Sequence, residues 1–200
     1  MIIKRFTNIY LFSHPRSGSY YMRQLLIKNF VFSNGRKWVK NNSSHWIGKI
    51  LESKIPVFKN RNRDVAYIYI YRQAQDVLKS VYSIRSLFGL DVDNYQDFLD
   101  TKYSDMFNGN ISPGKVFLNS KEFELIYCNK FFENCNYKPF EFWMEHLGYW
   151  YRVPDVYMIC YDDLIENFYN TMLNLSIFLG VDFDNKLQFE NIEEKVGYWQ

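Results

Sequence analysis

The 200 residues and their composition, 48% hydrophobic and 23% charged, suit one globular domain with a buried core and exclude a disordered, collagen-like or coiled-coil chain. Aromatics make up 20% of the chain, 18 Phe and 17 Tyr among them, against two alanines (Ala66 and Ala74), which excludes a long alanine-rich bundle and favours bulky, strand-forming core side chains. The formal charge of +2 hides an asymmetry: residues 1–85 carry sixteen of the 24 Lys and Arg and only three acids (Glu52, Asp64, Asp76), a net +13, so this half expects an anion or attracts the acidic remainder.

The N-terminal Met1-Ile2-Ile3-Lys4-Arg5-Phe6 has no sustained apolar stretch or small-residue cleavage site, and no run approaches a membrane span, so a soluble, cytoplasmic protein is expected. A first βα unit follows: the apolar run Asn8 to Phe12, the turn-rich Ser13-His14-Pro15-Arg16-Ser17-Gly18-Ser19, and a helix from about Tyr20 with Tyr21, Met22, Leu25 and Leu26 inward. A second runs from Val65 to Tyr71 and into a helix over about 75–88, with Val77, Val81 and Ile84 on one face. Residues 89–136 are rich in Asp, Asn, Tyr and Phe without clear period, and are expected to be a lid or substrate-side insertion in a single domain spanning 1–200. The cysteines, Cys128, Cys135 and Cys160, are odd in number and lack CxxC or Cys/His ligand spacing, so structural thiols are expected and neither a disulfide framework nor a zinc site. A third unit runs from Val156 to Cys160 and into a helix over about 164–179 that stops at Gly180. Apolar strands alternating with helices predict an α/β fold, a mostly parallel central sheet covered on both faces.

The chemistry concentrates at two strand ends. After the first strand a small-residue turn opens directly into a helix, so the N–H groups of Ser17, Gly18 and Ser19 would converge at the helix's positive end. Gly18 allows close backbone approach, the two serine hydroxyls add donors, and Arg16 supplies a permanent positive charge. The bland reading of the same residues is a serine-capped helix start. After the second strand comes Arg72, and Ser80 follows one turn beyond Asp76 on the same helical face, able to point back to the strand end.

Together these segments resemble the sulfotransferases that use 3′-phosphoadenosine 5′-phosphosulfate (PAPS). Pro15-Arg16-Ser17-Gly18-Ser19 resembles that family's 5′-phosphosulfate loop in its carbohydrate-sulfotransferase form, and Tyr69 to Ser80 resembles its 3′-phosphate motif, with Arg72, Asp76 and Ser80 in register. Val156 to Leu164, closing with Phe178-Leu179-Gly180, resembles the later strand and helix. The resemblance implies a P-loop NTPase-like sulfotransferase architecture and transfer of a sulfuryl group from PAPS to an acceptor hydroxyl or amine, leaving 3′-phosphoadenosine 5′-phosphate (PAP). Arg16, Ser17, Gly18, Ser19 and Tyr20 would bind the phosphosulfate, Arg72 and Ser80 the 3′-phosphate, while Tyr21 and Tyr161 would flank the adenine. Arg16 would also stabilise charge on the leaving phosphate, and no metal is required.

A general base is expected between the two phosphate motifs. Trp38-Val39-Lys40 and Ser43-Ser44-His45-Trp46 resemble the family's Lys-x-His segment with residues inserted, which makes His45 the candidate; its imidazole can accept a proton near neutral pH. Glu52 and His14 are the alternatives, and His146 reads as structural. The basic Arg-Lys-Gly ending of cytosolic relatives is only faintly matched by Lys195-Val196-Gly197-Tyr198-Trp199. A small-molecule or glycan acceptor is expected, with no nucleic acid or membrane partner, and the carbohydrate-like loop slightly favours a sugar hydroxyl. Two other readings compete: a P-loop nucleotide kinase and a catalytically silent nucleotide-binding module. Gly109-Asn110-Ile111-Ser112-Pro113-Gly114-Lys115 matches the P-loop pattern, but Val116 replaces the magnesium-binding Ser/Thr and no apolar strand precedes it.

Overall fold

Strands form at each of the three apolar runs, Asn8 to Phe12, Val65 to Tyr71 and Val156 to Cys160, and three two-residue strands join them. The computed structural model describes residues 1–35, 39–40, 63–109, 129–181 and 188–192. In chain order the first half contains β1 (Ile2–Ile3), β2 (Asn8–Ser13), α1 (Ser19–Asn29), β3 (Val31–Phe32), β4 (Val39–Lys40), β5 (Val65–Tyr71) and α2 (Ala74–Ser83). After a 3₁₀ turn at Arg85–Phe88 come α3 (Tyr95–Asp100), α4 (Tyr103–Met106), α5 (Asn129–Asn134), α6 (Pro139–Arg152), β6 (Val156–Cys160), α7 (Tyr161–Glu166) and α8 (Phe168–Leu179).

The described residues divide into two compact units. The first comprises 1–35, 39–40, 63–72, 150–181 and 188–192; the second comprises 73–109 and 129–149. In the first unit four strands pair in parallel in the order β4-β2-β5-β6, and β1 pairs with β3 in a small separate sheet. The α/β reading with a mostly parallel sheet therefore holds. Among the described residues, no helix is long and apolar enough to cross a membrane.

The pleat sorts the side chains of the sheet. Ile9 and Leu11 of β2 lie beside Ala66 and Ile68 of β5, and these join Ile70, Met22, Leu25, Leu175 and Leu179 in one aliphatic core. Alternate residues carry rings instead: Phe12 lies 6.4 Å from Tyr67 and 4.3 Å from Trp150, and Tyr69 stacks on Trp150 at 5.4 Å. Six of the seven residues of β5 are buried, as expected of a strand covered on both faces. The aromatic excess thus has a place in the sheet, where rings do the filling that Leu and Ala do elsewhere.

Two helices differ from their sequence reading. The third unit's helix begins earlier and breaks at Asn167, whose φ of −132° and ψ of 46° leave the helical region. Asparagine competes with helical backbone bonding, and here the Thr171 hydroxyl donates to the carbonyls of Asp163 (3.1 Å) and Asn167 (3.0 Å), adding to the backbone bonds those carbonyls already accept across the break. The helix of the second unit stops at Ser83 and tightens into the 3₁₀ turn, which ends at Gly89 with φ 65°. At the far end, α8 stops as expected at Gly180, whose left-handed φ of 65° accompanies bonds from Gly180 N to Ile177 O and from Val181 N to Ser176 O.

The second unit has its own core. Val77, Leu78 and Val81 of α2 pack with Phe98, Tyr103, Phe132 and Phe142. Described parts of the stretch that reads as irregular in the sequence form short helices, α3, α4 and α5, around these rings. His146 is fully buried there, edge-on to Phe142 at 5.7 Å.

Candidate anion-binding site

The strand order fixes where a ligand can approach. From β2 the chain goes outward to β4, and from β5 it goes the other way to β6, so the sheet switches direction between β2 and β5. In open parallel sheets the crevice beyond the carboxyl ends at such a switch is the usual ligand position. Two segments emerge there: residues 14–18 after β2 and Arg72 after β5.

The loop after β2 is tightly built. Arg16 stands at φ 68°, a left-handed conformation that a non-glycine residue adopts at a cost of about 1–2 kcal/mol. Gly18 follows at φ 90° and forms the N-cap of α1, with no side chain capping the helix; its carbonyl accepts from Met22 N at 3.0 Å. By helix geometry the N–H groups of the first turn face the open end of α1. Ser17 differs from the sequence expectation in one respect, because its N–H donates to His14 O at 3.2 Å and is turned into the loop. Its hydroxyl carries the interest: Ser17 is fully buried and its Oγ has no hydrogen-bond partner among the described residues. A buried hydroxyl left so costs about 1–3 kcal/mol, which an acceptor oxygen from a ligand would recover.

Charge converges on the same loop. Burial holds the Arg16 guanidinium below its ordinary pKa, and the nearby positive charge of Arg72 lowers it further. An anion between them would relieve both effects. Arg72 itself lies over the ring of Tyr161, its Cζ 4.8 Å from the centroid. Tyr161 in turn abuts Gly18 so closely that a Cβ there would lie 2.2 Å from ring Cδ2 and 2.6 Å from Cε2. Arg16, Ser17, Gly18, Arg72 and Tyr161 are thus one cluster.

The other expected residues fall elsewhere. Ser19 opens α1, and Tyr20 is 49% exposed beside it. Tyr21 is buried, meets Tyr161 edge-on at 5.9 Å and donates its hydroxyl to Asn191 Oδ1 at 2.7 Å. Ser80 lies on α2 in the second unit, its carbonyl accepting from the Ser83 hydroxyl. His14 is buried, its Nδ1 2.8 Å from Pro15 O. His45, Glu52, Asn110 to Lys115 and Lys195 to Trp199 lie outside the described residues.

Two supports of the loop escaped the sequence reading. The Tyr69 hydroxyl accepts from the backbone N–H of His14, while burial pushes its pKa well up. Asn29, buried near the end of α1, donates Nδ2 to Leu25 O (3.0 Å) and Glu190 O (2.9 Å) and accepts Glu190 N at 2.8 Å, so it holds residues 188–192 against the helix. A polar residue interrupting an apolar helix face was the one available signal for it.

The family profile of the sulfotransferase domain matches residues 6–198. The chain belongs to the sulfotransferase family. Among solved structures, that of mouse sulfotransferase SULT7A1 complexed with PAP is similar at 15% identity and a TM-score of 0.46, over 89% of this chain and 59% of that one. This sulfotransferase-family chain therefore spans 59% of the length of that relative. No curated protein sequence matches it.

Proposed function

We propose that this protein is a sulfotransferase that binds PAPS at the cluster formed by Arg16, Ser17, Gly18 and Arg72 and passes the sulfuryl group to an acceptor hydroxyl or amine. The observation that carries the reading is the buried, unpartnered Ser17 hydroxyl set in a strained loop where the charges of Arg16 and Arg72 meet. An anion with several acceptor oxygens fits this donor set; a neutral ligand does not. PAPS supplies the activated sulfuryl group when bound.

In this reading Arg16, the Ser17 hydroxyl and the N–H groups opening α1 hold the phosphosulfate end, with Ser19 and Tyr20 beside them. Arg16 cannot act as an acid, and its contribution is charge and hydrogen bonds to the oxygen that becomes more negative. Arg72 takes the 3′-phosphate, and the motif assigns Ser80 to the same group. His45 remains the proposed base on the strength of its motif, with Glu52 as alternative, while His14 serves the loop, since its ring is buried and bonded to the loop's own carbonyl. The acceptor is a small molecule or a glycan.

Thermal unfolding with PAP, with ATP alone and with magnesium ATP tests the binding reading. PAP should raise Tm most, by the mass-action stabilisation of roughly 2.7 kcal/mol at a hundredfold excess over Kd. Stabilisation by magnesium ATP alone would favour a nucleotide kinase and sink the reading. Sulfate transfer from PAPS across a panel of phenols, sugars and amines tests the activity, and His45→Ala should lower turnover with PAP binding retained. Binding without transfer to any acceptor would point to a silent module.

A further inference from the structure

We propose that Tyr161 is the positioning residue that aims Arg72 at the anion and sets its distance from the phosphate loop, a role distinct from stacking on a base. The inference rests on the PAPS reading above and deepens it. Arg16 and Arg72 carry like charges close enough to be felt, so the direction the Arg72 guanidinium takes bears on how both meet an anion.

The sheet register sets Tyr161 beside Arg72. Tyr71 of β5 pairs with Cys160 of β6, so the next residues, Arg72 and Tyr161, leave adjacent strands side by side. The guanidinium carbon lies 4.8 Å from the Tyr161 centroid, within the range where a cation is attracted by the ring's quadrupole, and more strongly where water is excluded. Tyr161 is only 6% exposed, so the contact is largely dry on the ring's side.

The ring is itself fixed. Gly18 meets its Cδ2 and Cε2 atoms at a distance that only a residue without Cβ permits, and Tyr21 meets it edge-on. One side chain thereby touches the phosphate loop at Gly18 and the second anion-binding residue at Arg72. The role belongs to the ring and not to its hydroxyl.

A double-mutant cycle on the full-length protein, read by calorimetric titration with PAP, tests this. Tyr161→Leu and Arg72→Met should each weaken binding about tenfold, and the double variant should bind within about twofold of Arg72→Met alone, because the tyrosine acts through the arginine. Tyr161→Phe, which keeps the ring, should stay within about twofold of the wild type. Additive losses in the double variant overturn the proposal, as does a Phe variant that binds as weakly as the Leu one. Should Tyr161→Leu not fold, Tyr161→Met takes its place in the cycle. A wild-type protein that takes up no PAP overturns the PAPS reading itself, which a wild type that binds with an additive cycle does not.

Discussion

At the scale of single residues, two neighbours in the loop should respond to mutation in opposite ways. The Ser17 hydroxyl is buried without a partner among the described residues, so the unliganded fold bears its desolvation cost. Ser17→Ala should leave Tm unchanged or raise stability by roughly 1 kcal/mol while weakening PAP binding about tenfold. Calorimetric titration beside a thermal melt checks both parts, and a Tm that falls with unchanged affinity would assign Ser17 to structure alone. Gly18→Ala should lose both. A methyl at φ 90° is strained by about 1–2 kcal/mol, and it would drive into the Tyr161 ring, displacing the contact below Arg72. A Gly18→Ala protein with wild-type Tm and PAP affinity would refute that packing. These residue types and their order were legible in the sequence, because a strand, a small-residue turn and a helix start make a recognisable pattern. The inward turn of the Ser17 N–H and the closeness of Tyr161 were not, since both depend on loop dihedrals and on strand register.

At the scale of elements, three strands of the main sheet were legible almost to the residue, β5 and β6 starting and stopping where the apolar runs do, while the two-residue β4 was too short to leave an apolar run. Helix ends were less so. Asn167 breaks a helix by a local preference that apolar periodicity does not register, and α6 falls between recognisable motifs. Least visible was Asn29, which treats the backbone of Glu190 as a strand neighbour would, giving one bond and taking another. Because α1 begins at the loop of Arg16 to Gly18, the strap it holds also reaches Tyr21, through Asn191. Asn29→Ala should cost about 1–3 kcal/mol, since it removes three hydrogen bonds of a buried side chain. Urea denaturation measures the loss, and amide exchange at Glu190 should lose its protection. If exchange there is already fast in the wild type, the strap is not held in the way described.

At the scale of the whole molecule, the aromatic excess gives the protein buried acids as well as buried rings. Burial raises the pKa of Tyr69 and Tyr103 far above the ordinary 10.0, and the same cause pushes Cys135, beside Tyr103, from 9.0 up to about 12. In the unfolded chain the thiol ionises near 9 and the phenols near 10, while the folded protein keeps their protons. Above those values the unfolded state binds fewer protons, so stability falls with rising pH, by up to about 1.4 kcal/mol per pH unit for each group. Below pH 9 the three contribute in full and the curve is flat on their account; the loss starts with Cys135 between 9 and 10 and steepens as the tyrosines join. Urea midpoints at pH 7.5, 9, 10 and 11 should trace that shape. Cys135→Ala should flatten its first part, and Tyr103→Phe should flatten the part above pH 10. A midpoint constant to pH 11, or a Cys135→Ala protein as steep as the wild type between 9 and 10, would mean that these groups titrate with the solvent, and that the aromatic cores around them are not the dry interiors their packing implies.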